Sequence, residues 1–150
     1  MRFIRSSLLC FISAFTTLSS VSHAAEYNVK MLNYGEAGSM VFEPSFLRIQ
    51  SGDTVTFIPT DLGHNTRSFL TPKPEKTWNS TLGETFSITP QTEGIYVYYC
   101  SPHLVMAMMG MIQVGEPKNF EQAKESSERL RSKFVMNKQR IDTLFDQVVQ

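Results

Sequence analysis

Short segments that alternate polar and apolar residues run through most of this chain, between residues 27 and 115. Alternation with a period of two is typical of β-strands that bury one face. Such segments lie at residues 27–33, 47–49, 53–58 and 84–89. Residues 94–99 are instead rich in aromatic and β-branched residues, and residues 110–114 supply a last predicted strand. Glycine and proline residues that favour turns separate them. Strands of this length and spacing predict a β-sandwich with Greek-key connections, so the expected fold class is mainly β.

From residue 116 onward the pattern changes to helical spacing. Pro117 and Asn119, with Gln122 three residues later, resemble a helix start with a capping box. A second helix is expected to begin near Ser126 or Ser127. Apolar residues recur at helical spacing at Leu130, Phe134, Ile141, Leu144, Phe145 and Val148. We expect residues 116–150 to form a helix pair that packs on the same domain as a sandwich of residues 25–115, with a helical partner-binding tail as the alternative.

The first 24 residues have the pattern of a secretory signal peptide. Two early arginines precede an apolar run over residues 8–18, and residues 22–24 (Ser-His-Ala) offer a cleavage site of small residues. The apolar run is too short to cross a bilayer as a helix, and no later segment approaches the length that spanning requires. We therefore expect cleavage after Ala24, export to the periplasm, and no membrane insertion.

Loss of this leader would change the counts of charged residues and cysteines. The full chain has 14 basic and 14 acidic residues, so loss of Arg2 and Arg5 leaves 12 against 14 and a net charge of about −2. The chain has no basic stripe of the kind that neutralises phosphates, so we expect no nucleic-acid binding. Cys10 also leaves with the leader. Cys100 would then be the only thiol, and it could not form an internal disulfide.

Four residues in two parts of the chain offer soft groups that bind metals. His103 lies three residues after Cys100, Met108 lies five residues later, and His64 lies upstream, after a predicted strand. These groups suit copper better than calcium, magnesium or manganese, and two His, one Cys and a weakly bound Met are the ligand set of blue-copper electron-transfer sites. Loops at one end of a sandwich would bring the four together, so the sequence predicts a copper site. Asn65 is expected to donate near the sulfur or to tie the two loops together.

Other interpretations of these residues stay open. Zinc binds Cys and His, but its structural sites usually have four such ligands, and a thioether is a poor fourth. A catalytic Cys100–His103 pair would lack an orienting Asn or Asp, so we expect no enzyme activity. Further methionines lie at positions 106, 109 and 111. Because Cu(I) also favours thioethers, a periplasmic copper carrier or chaperone is the alternative function.

Several stretches of sequence carry a resemblance to a known family. They are residues 41–44 (Val-Phe-Glu-Pro), 52–61 (Gly-Asp-Thr-Val-Thr-Phe-Ile-Pro-Thr-Asp), 63–65 (Gly-His-Asn) and 100–103 (Cys-Ser-Pro-His). The chain resembles the pseudoazurins, small periplasmic blue-copper proteins of the cupredoxin fold, over nearly all of residues 26–150. The terminal helix pair is typical of pseudoazurins and separates them from plastocyanin, which shares the Cys–His–Met spacing. Azurin has a longer gap between its Cys and His.

The resemblance implies a fold, a cofactor and a role. The implied fold is a mainly β cupredoxin Greek-key sandwich with two C-terminal α-helices. The implied cofactor is one type 1 copper per chain, and the family's ligands map onto His64, Cys100, His103 and Met108. The implied role is that of a monomeric electron carrier, not an enzyme, that shuttles one electron between redox proteins. By analogy, the acceptor is a denitrification enzyme such as copper nitrite reductase.

Two features depart from the family's pattern. Pseudoazurins commonly carry lysines around the copper edge that steer acidic partners, whereas here Tyr34, Leu62 and Tyr99 stand near the ligands. Complementary charge mainly raises association rates, so we expect docking that depends less on ionic strength than in lysine-ringed relatives. Ala107 precedes Met108 where relatives often have glycine, and we expect it to alter the axial approach slightly.

Overall fold

The computed structural model describes residues 24–150, so the predicted signal peptide lies outside the described residues except for Ala24. The described part of the chain contains eight strands and two α-helices. The strands are β1 (Glu26–Gly35), β2 (Gly38–Glu43), β3 (Phe46–Ile49), β4 (Thr54–Ile58), β5 (Arg67–Leu70), β6 (Phe86–Ile88), β7 (Gly94–Tyr99) and β8 (Met109–Val114). The helices are α1 (Phe120–Arg131) and α2 (Arg140–Phe145), and short 3-10 turns lie at Pro74–Lys76 and Leu104–Met106. Neither α-helix within residues 24–150 has the length and apolar character needed to span a membrane.

The strands form two four-stranded sheets. The first sheet has the order β2-β1-β4-β6, and the second has the order β3-β8-β7-β5. The β1–β4 and β3–β8 pairs are parallel, and the other pairs are antiparallel. Because β4 and β5 belong to different sheets, the connection between them crosses from one sheet to the other. The predicted mainly β sandwich with two C-terminal helices is confirmed.

The local sequence pattern predicts some strands and misses others. The predicted segments at 27–33, 53–58 and 94–99 correspond to β1, β4 and β7. The strands β2 and β5 are absent from the prediction because neither alternates cleanly. In β2 the consecutive residues Val41 and Phe42 are both buried, and the preceding Met40 has a positive φ of 50°. In β5 the pairing register shifts between Ser68 and Leu70.

Buried side chains form two separate cores on the two faces of the second sheet. One core, here called the inter-sheet core, lies between the sheets and contains Val29, Met31, Phe42, Ile49, Val55, Phe57, Tyr96, Tyr98, Cys100, Met108, Ile112 and Val114. The other, here called the helix core, lies between that sheet and the helices and contains Ile95, Val97, Ala107, Met109, Met111, Ala123, Leu130, Phe134, Ile141 and Leu144. Successive residues of β7 and β8 alternate between the two cores, as the pleat of a strand requires.

The first helix begins near the predicted position but continues past the predicted break. Asn119 is its N-cap residue, yet the Asn119 side chain does not cap the helix and instead bonds the backbone N–H and carbonyl of Ile95, at 2.6 and 3.1 Å. The prediction of a second helix near Ser126 or Ser127 is wrong, because α1 continues through both residues. Their small side chains are buried, and α2 begins at Arg140. Serine favours helix starts through its side-chain oxygen, but here tertiary packing places it within a helix.

Candidate metal centre

His64 lies in the connection between β4 and β5 and is fully buried. Its Nε2 atom lies 3.1 Å from Oδ1 of Asn33, at the end of β1. An amide oxygen only accepts hydrogen bonds, so Nε2 carries the proton and donates. In the neutral ring this leaves the lone pair of Nδ1 free for a metal. The Nδ1 atom lies 3.8 Å from the sulfur of Cys100.

The second connection runs from Cys100, just after β7, to Met108, just before β8. The backbone N–H of Cys100 donates to the carbonyl of Met108 at 2.9 Å, which closes the loop. Inside the loop, the N–H groups of Met106 and Met108 both donate to the carbonyl of His103, at 3.0 and 3.3 Å. Cys100 and Met108 are fully buried in the inter-sheet core. The loop therefore holds the side chains of Cys100 and Met108 in the same dry interior.

Three potential donor atoms converge at this end of the sandwich. The ligand atoms of His64, Cys100 and His103 all lie within 4.8 Å of one another. Nδ1 of His103 lies 3.5 Å from the sulfur of Cys100, and the centroids of the two imidazole rings lie 4.9 Å apart. A thiol and two Nδ1 atoms at this separation form a donor set that suits copper. Met108, the fourth residue that the sequence singles out, lies buried in the same core as Cys100.

Burial shifts the protonation of all three donors toward their neutral forms. Desolvation lowers the pKa of His64 and of His103 below the ordinary imidazole value, and the charge of His103 lowers that of His64 further. Desolvation also raises the pKa of the Cys100 thiol, although backbone N–H groups of Asn65 and His103 partly oppose it. The imidazoles are thus ready to bind a metal, whereas the thiol must lose its proton when the metal arrives.

Asn65 joins the two loops that carry the donors. Its Oδ1 accepts from the backbone N–H of Ser101 at 2.8 Å, and its Nδ2 donates to the carbonyl of Ser80 and the hydroxyl of Ser101, each at 3.3 Å. This agrees with the expectation that Asn65 ties the loops together. The partner of His64, Asn33, was not anticipated, because a polar residue at the end of a half-buried strand carries no signal that distinguishes it from a solvated one.

Exposed apolar side chains lie on the loops that carry the candidate donors, Leu62 beside His64 and Val105 beside His103. His103 is only partly buried, whereas His64, Cys100 and Met108 are inaccessible to solvent. Tyr34 and Leu62, two of the residues that the sequence has where relatives carry lysines, are 79% and 87% exposed. Tyr99, in contrast, is partly covered and packs against the helix core.

Comparisons with known proteins link this fold and donor set to one family. A family model described as copper binding proteins of the plastocyanin/azurin family matches residues 29–115. The chain is 39% identical to a pseudoazurin from Paracoccus pantotrophus over 121 residues, which are 79% of this chain and 83% of that protein. It is 34% identical to a pseudoazurin from Methylorubrum extorquens over 139 residues, which are 91% of this chain and 90% of that protein.

A solved structure shows the same architecture. The crystal structure of native pseudoazurin from Hyphomicrobium denitrificans superposes on this chain with a TM-score of 0.73 at 36% sequence identity. The superposition covers 84% of this chain and 100% of the pseudoazurin chain. Copper is the metal that this family binds, and the thiol and two imidazoles described above fit it. In sequence, fold and cofactor, the chain belongs with the pseudoazurins to the copper-binding plastocyanin/azurin family.

Proposed function

We propose that this protein is a blue-copper electron carrier whose type 1 copper is held by His64, Cys100, His103 and Met108. The observation that carries the proposal is the convergence of one thiol and two imidazole Nδ1 atoms within 4.8 Å at the end of the sandwich. Bound copper would supply a one-electron Cu(II)/Cu(I) couple. The protein itself would orient the ligands and exclude water.

The residues around the site favour electron transfer because they restrict rearrangement. Asn33 fixes the ring orientation of His64 at 3.1 Å, and Asn65 links the two loops. Such contacts around metal ligands set their orientation and basicity. A site that keeps nearly one shape in both oxidation states needs little reorganisation when it gains or loses an electron.

The positions of two methionines, Met109 and Met111, argue against the alternative of a copper carrier. That alternative rests on several thioethers close to His103. However, Met109 and Met111 are buried in the helix core, whereas Cys100 lies in the inter-sheet core. These two thioethers pack as apolar side chains.

His103 is the proposed point of entry and exit for electrons, since it is the one proposed ligand that is not inaccessible to solvent. Exposed apolar residues of the same loops, Leu62 and Val105, would form the docking surface together with Tyr34. Apolar docking with little charge steering depends only weakly on ionic strength.

The proposed setting is the periplasm, reached by cleavage after Ala24, where the protein would act as a monomer. The partner would be a redox protein with an apolar surface around its own centre. By family resemblance, a denitrification enzyme such as copper nitrite reductase is the proposed acceptor.

Visible absorption with one equivalent of Cu(II), before and after ascorbate, tests the proposed function. An intense blue or green band that ascorbate bleaches and re-oxidation restores would support a copper–thiolate redox site. A protein that stays colourless and binds only Cu(I) would instead support the carrier.

Electron self-exchange between oxidised and reduced copies tests the docking surface without any other partner. We expect the NMR-measured rate to change by less than about threefold between low and high salt, because the proposed docking residues Tyr34, Leu62 and Val105 are uncharged. The Tyr34→Lys/Leu62→Lys variant is the matched comparison, and its rate should rise steeply with salt as like charges are screened. A steep salt dependence in the unaltered protein would contradict apolar docking.

A further inference from the structure

Left-handed backbone conformations of residues other than glycine are concentrated beside the proposed copper loop. Within residues 24–150, three such residues have a positive φ: Met40 at 50°, Ala107 at 57° and Asn137 at 56°. This conformation is unfavourable for a residue with a Cβ and persists only where the surroundings determine it. The three residues are far apart in sequence but lie close to the same loop. We therefore looked for contacts that all three segments share.

Arg140, the first residue of α2, contacts the copper loop directly. Its Nη1 donates to the carbonyls of Met106 and Ala107, at 3.3 and 3.2 Å. Nδ2 of Asn137 donates to the same Met106 carbonyl at 3.2 Å. These carbonyls end the short 3-10 turn that follows His103, where backbone acceptors lack partners within the turn. The C-terminal segment therefore supplies the donors that the loop lacks.

The same guanidinium also holds the turn between β1 and β2. Nη1 donates to the carbonyl of Met40 at 3.0 Å, and Nη2 donates to the carbonyls of Ala37 and Ser39, at 3.0 and 2.9 Å. Arg140 thus contacts the carbonyls of both Met40 and Ala107, two of the three left-handed residues. One side chain joins the β1–β2 turn, the copper loop and α2.

The charge of Arg140 makes these contacts hard to replace. Among the described side chains it has no carboxylate within ion-pairing distance, and it is partly buried. A cation removed from water without a counter-ion needs other acceptors, and backbone carbonyls are what this structure provides. The planar fork of arginine can reach carbonyls of two segments at once, which the single ammonium group of lysine does less well.

We propose that Arg140 is a positioning residue of the copper site, which fixes the 104–107 segment and thereby the placement of His103 and Met108 on either side of it. The proposal rests on the function proposed above. A further link supports it, since the backbone N–H groups of Val135 and Met136 both donate to the carbonyl of Val105, at 2.8 and 3.3 Å. On this proposal the C-terminal helical segment positions the copper ligands in addition to packing against the second sheet.

The Arg140→Lys variant tests this proposal, with Arg131→Lys as its matched control. Arg131 is also an arginine of the helical tail, and it joins α1 to α2 through Asp142 without contacting the copper loop. Two measurements separate positioning from general destabilisation. The first is amide hydrogen exchange at Ala107 and Met108 in the metal-free protein, where both N–H groups are bonded within the loop, at 3.0 and 3.3 Å. The second is the intensity ratio of the copper–thiolate absorption bands in the copper-loaded protein.

In Arg140→Lys we expect exchange at Ala107 and Met108 to accelerate by about tenfold or more, the scale of one lost hydrogen bond to a charged group. We also expect the band ratio to shift. Arg131→Lys should change neither the exchange nor the band ratio. Asn137→Gly loses one donor to the Met106 carbonyl, but glycine adopts the left-handed conformation without strain, so it should accelerate exchange less than Arg140→Lys does. Unchanged exchange and band ratio in Arg140→Lys, or equal changes in Arg131→Lys, would overturn the proposal. If the unaltered protein gives no copper–thiolate band, the proposed function fails, and the exchange data still decide whether Arg140 orders the loop.

Discussion

The inter-sheet core and the helix core differ in what they contribute to the proposed copper site. The inter-sheet core contains Cys100 and Met108, so it places sulfur donors in a dry interior. The helix core contains Ala107 and Met109, the residues on either side of Met108, and these offer packing alone. Neighbouring residues of one loop thus enter opposite cores. One core supplies the chemistry of the site and the other holds its backbone, so the two functions should be separable by mutation.

The largest effect is expected from a substitution in the inter-sheet core, Cys100→Ser. Serine is close in size but is a poor ligand for copper, so the intense copper–thiolate absorption should be lost completely. The far-UV circular dichroism of the metal-free variant should match that of the unaltered protein. Any remaining intense blue or green band would rule out Cys100 as the ligand.

The next largest effect is expected in the helix core, from Leu130→Ala. Leu130 is fully buried, and such truncations cost about 2–5 kcal/mol of unfolding free energy. Urea unfolding of the metal-free protein measures this, and the visible spectrum of the copper-loaded variant should stay unchanged. Val135→Ala is the control, since Val135 is 78% exposed and its truncation should cost less than about 0.5 kcal/mol. A changed copper spectrum in Leu130→Ala would show that the two cores are not separable.

A smaller effect on stability, with a clear effect on the spectrum, is expected from Met108→Leu. The exchange conserves apolar volume and should cost less than about 1.5 kcal/mol. Loss of the thioether should shift the copper–thiolate bands and the reduction potential, because the axial ligand tunes both. Met111→Leu makes the same change in the helix core and should leave the bands where they are. Identical spectra for the two variants would remove Met108 from the proposed ligand set.

The smallest predicted effect concerns pH and involves the two histidines of the candidate centre. Burial lowers the folded-state pKa of His64 and His103 below the ordinary value of 6.5. The unfolded chain therefore binds more protons in this range, so the metal-free protein should be most stable above pH 6.5 and lose stability as the pH falls below it. Urea midpoints between about pH 7.5 and 5 measure this, since carboxylates titrate at lower pH. In a variant with both histidines replaced by asparagine, the urea midpoint should stay constant over this pH range. A midpoint that still falls at low pH in this variant would show that other groups cause the loss of stability.

Local patterns in the sequence predict much of the fold and of the candidate site. Alternation finds β1 and β4, and aromatic and β-branched residues find β7. The spacing of Cys100 and His103 predicts donors that the structure brings together. These signals are short-range, since a strand or a loop displays them within a few residues. The expectation of a second helix at Ser126 or Ser127 fails because burial of a small side chain and a helix start look alike in sequence.

What the sequence does not predict depends on contacts between distant segments. Asn33 meets His64 across 31 residues, and Arg140 meets Met40 across 100. No periodicity links such pairs. Met40 and Ala107 also adopt a conformation that their own side chains disfavour, so local preference points away from the observed backbone. Tertiary hydrogen bonds decide the conformation at both positions.

The position of Arg140 after all four proposed ligands in the sequence has a consequence for the order of assembly. Synthesis proceeds from the N-terminus, so all four proposed ligands leave the ribosome before Arg140 does. Until then the 104–107 segment lacks the donors that Arg140 and Asn137 provide. If Arg140 positions the loop as proposed, the geometry around His103 and Met108 is complete only once the helical tail has packed on the sheet. On the same proposal, a chain truncated before Arg140 would carry all four proposed ligands without the donors that order the loop.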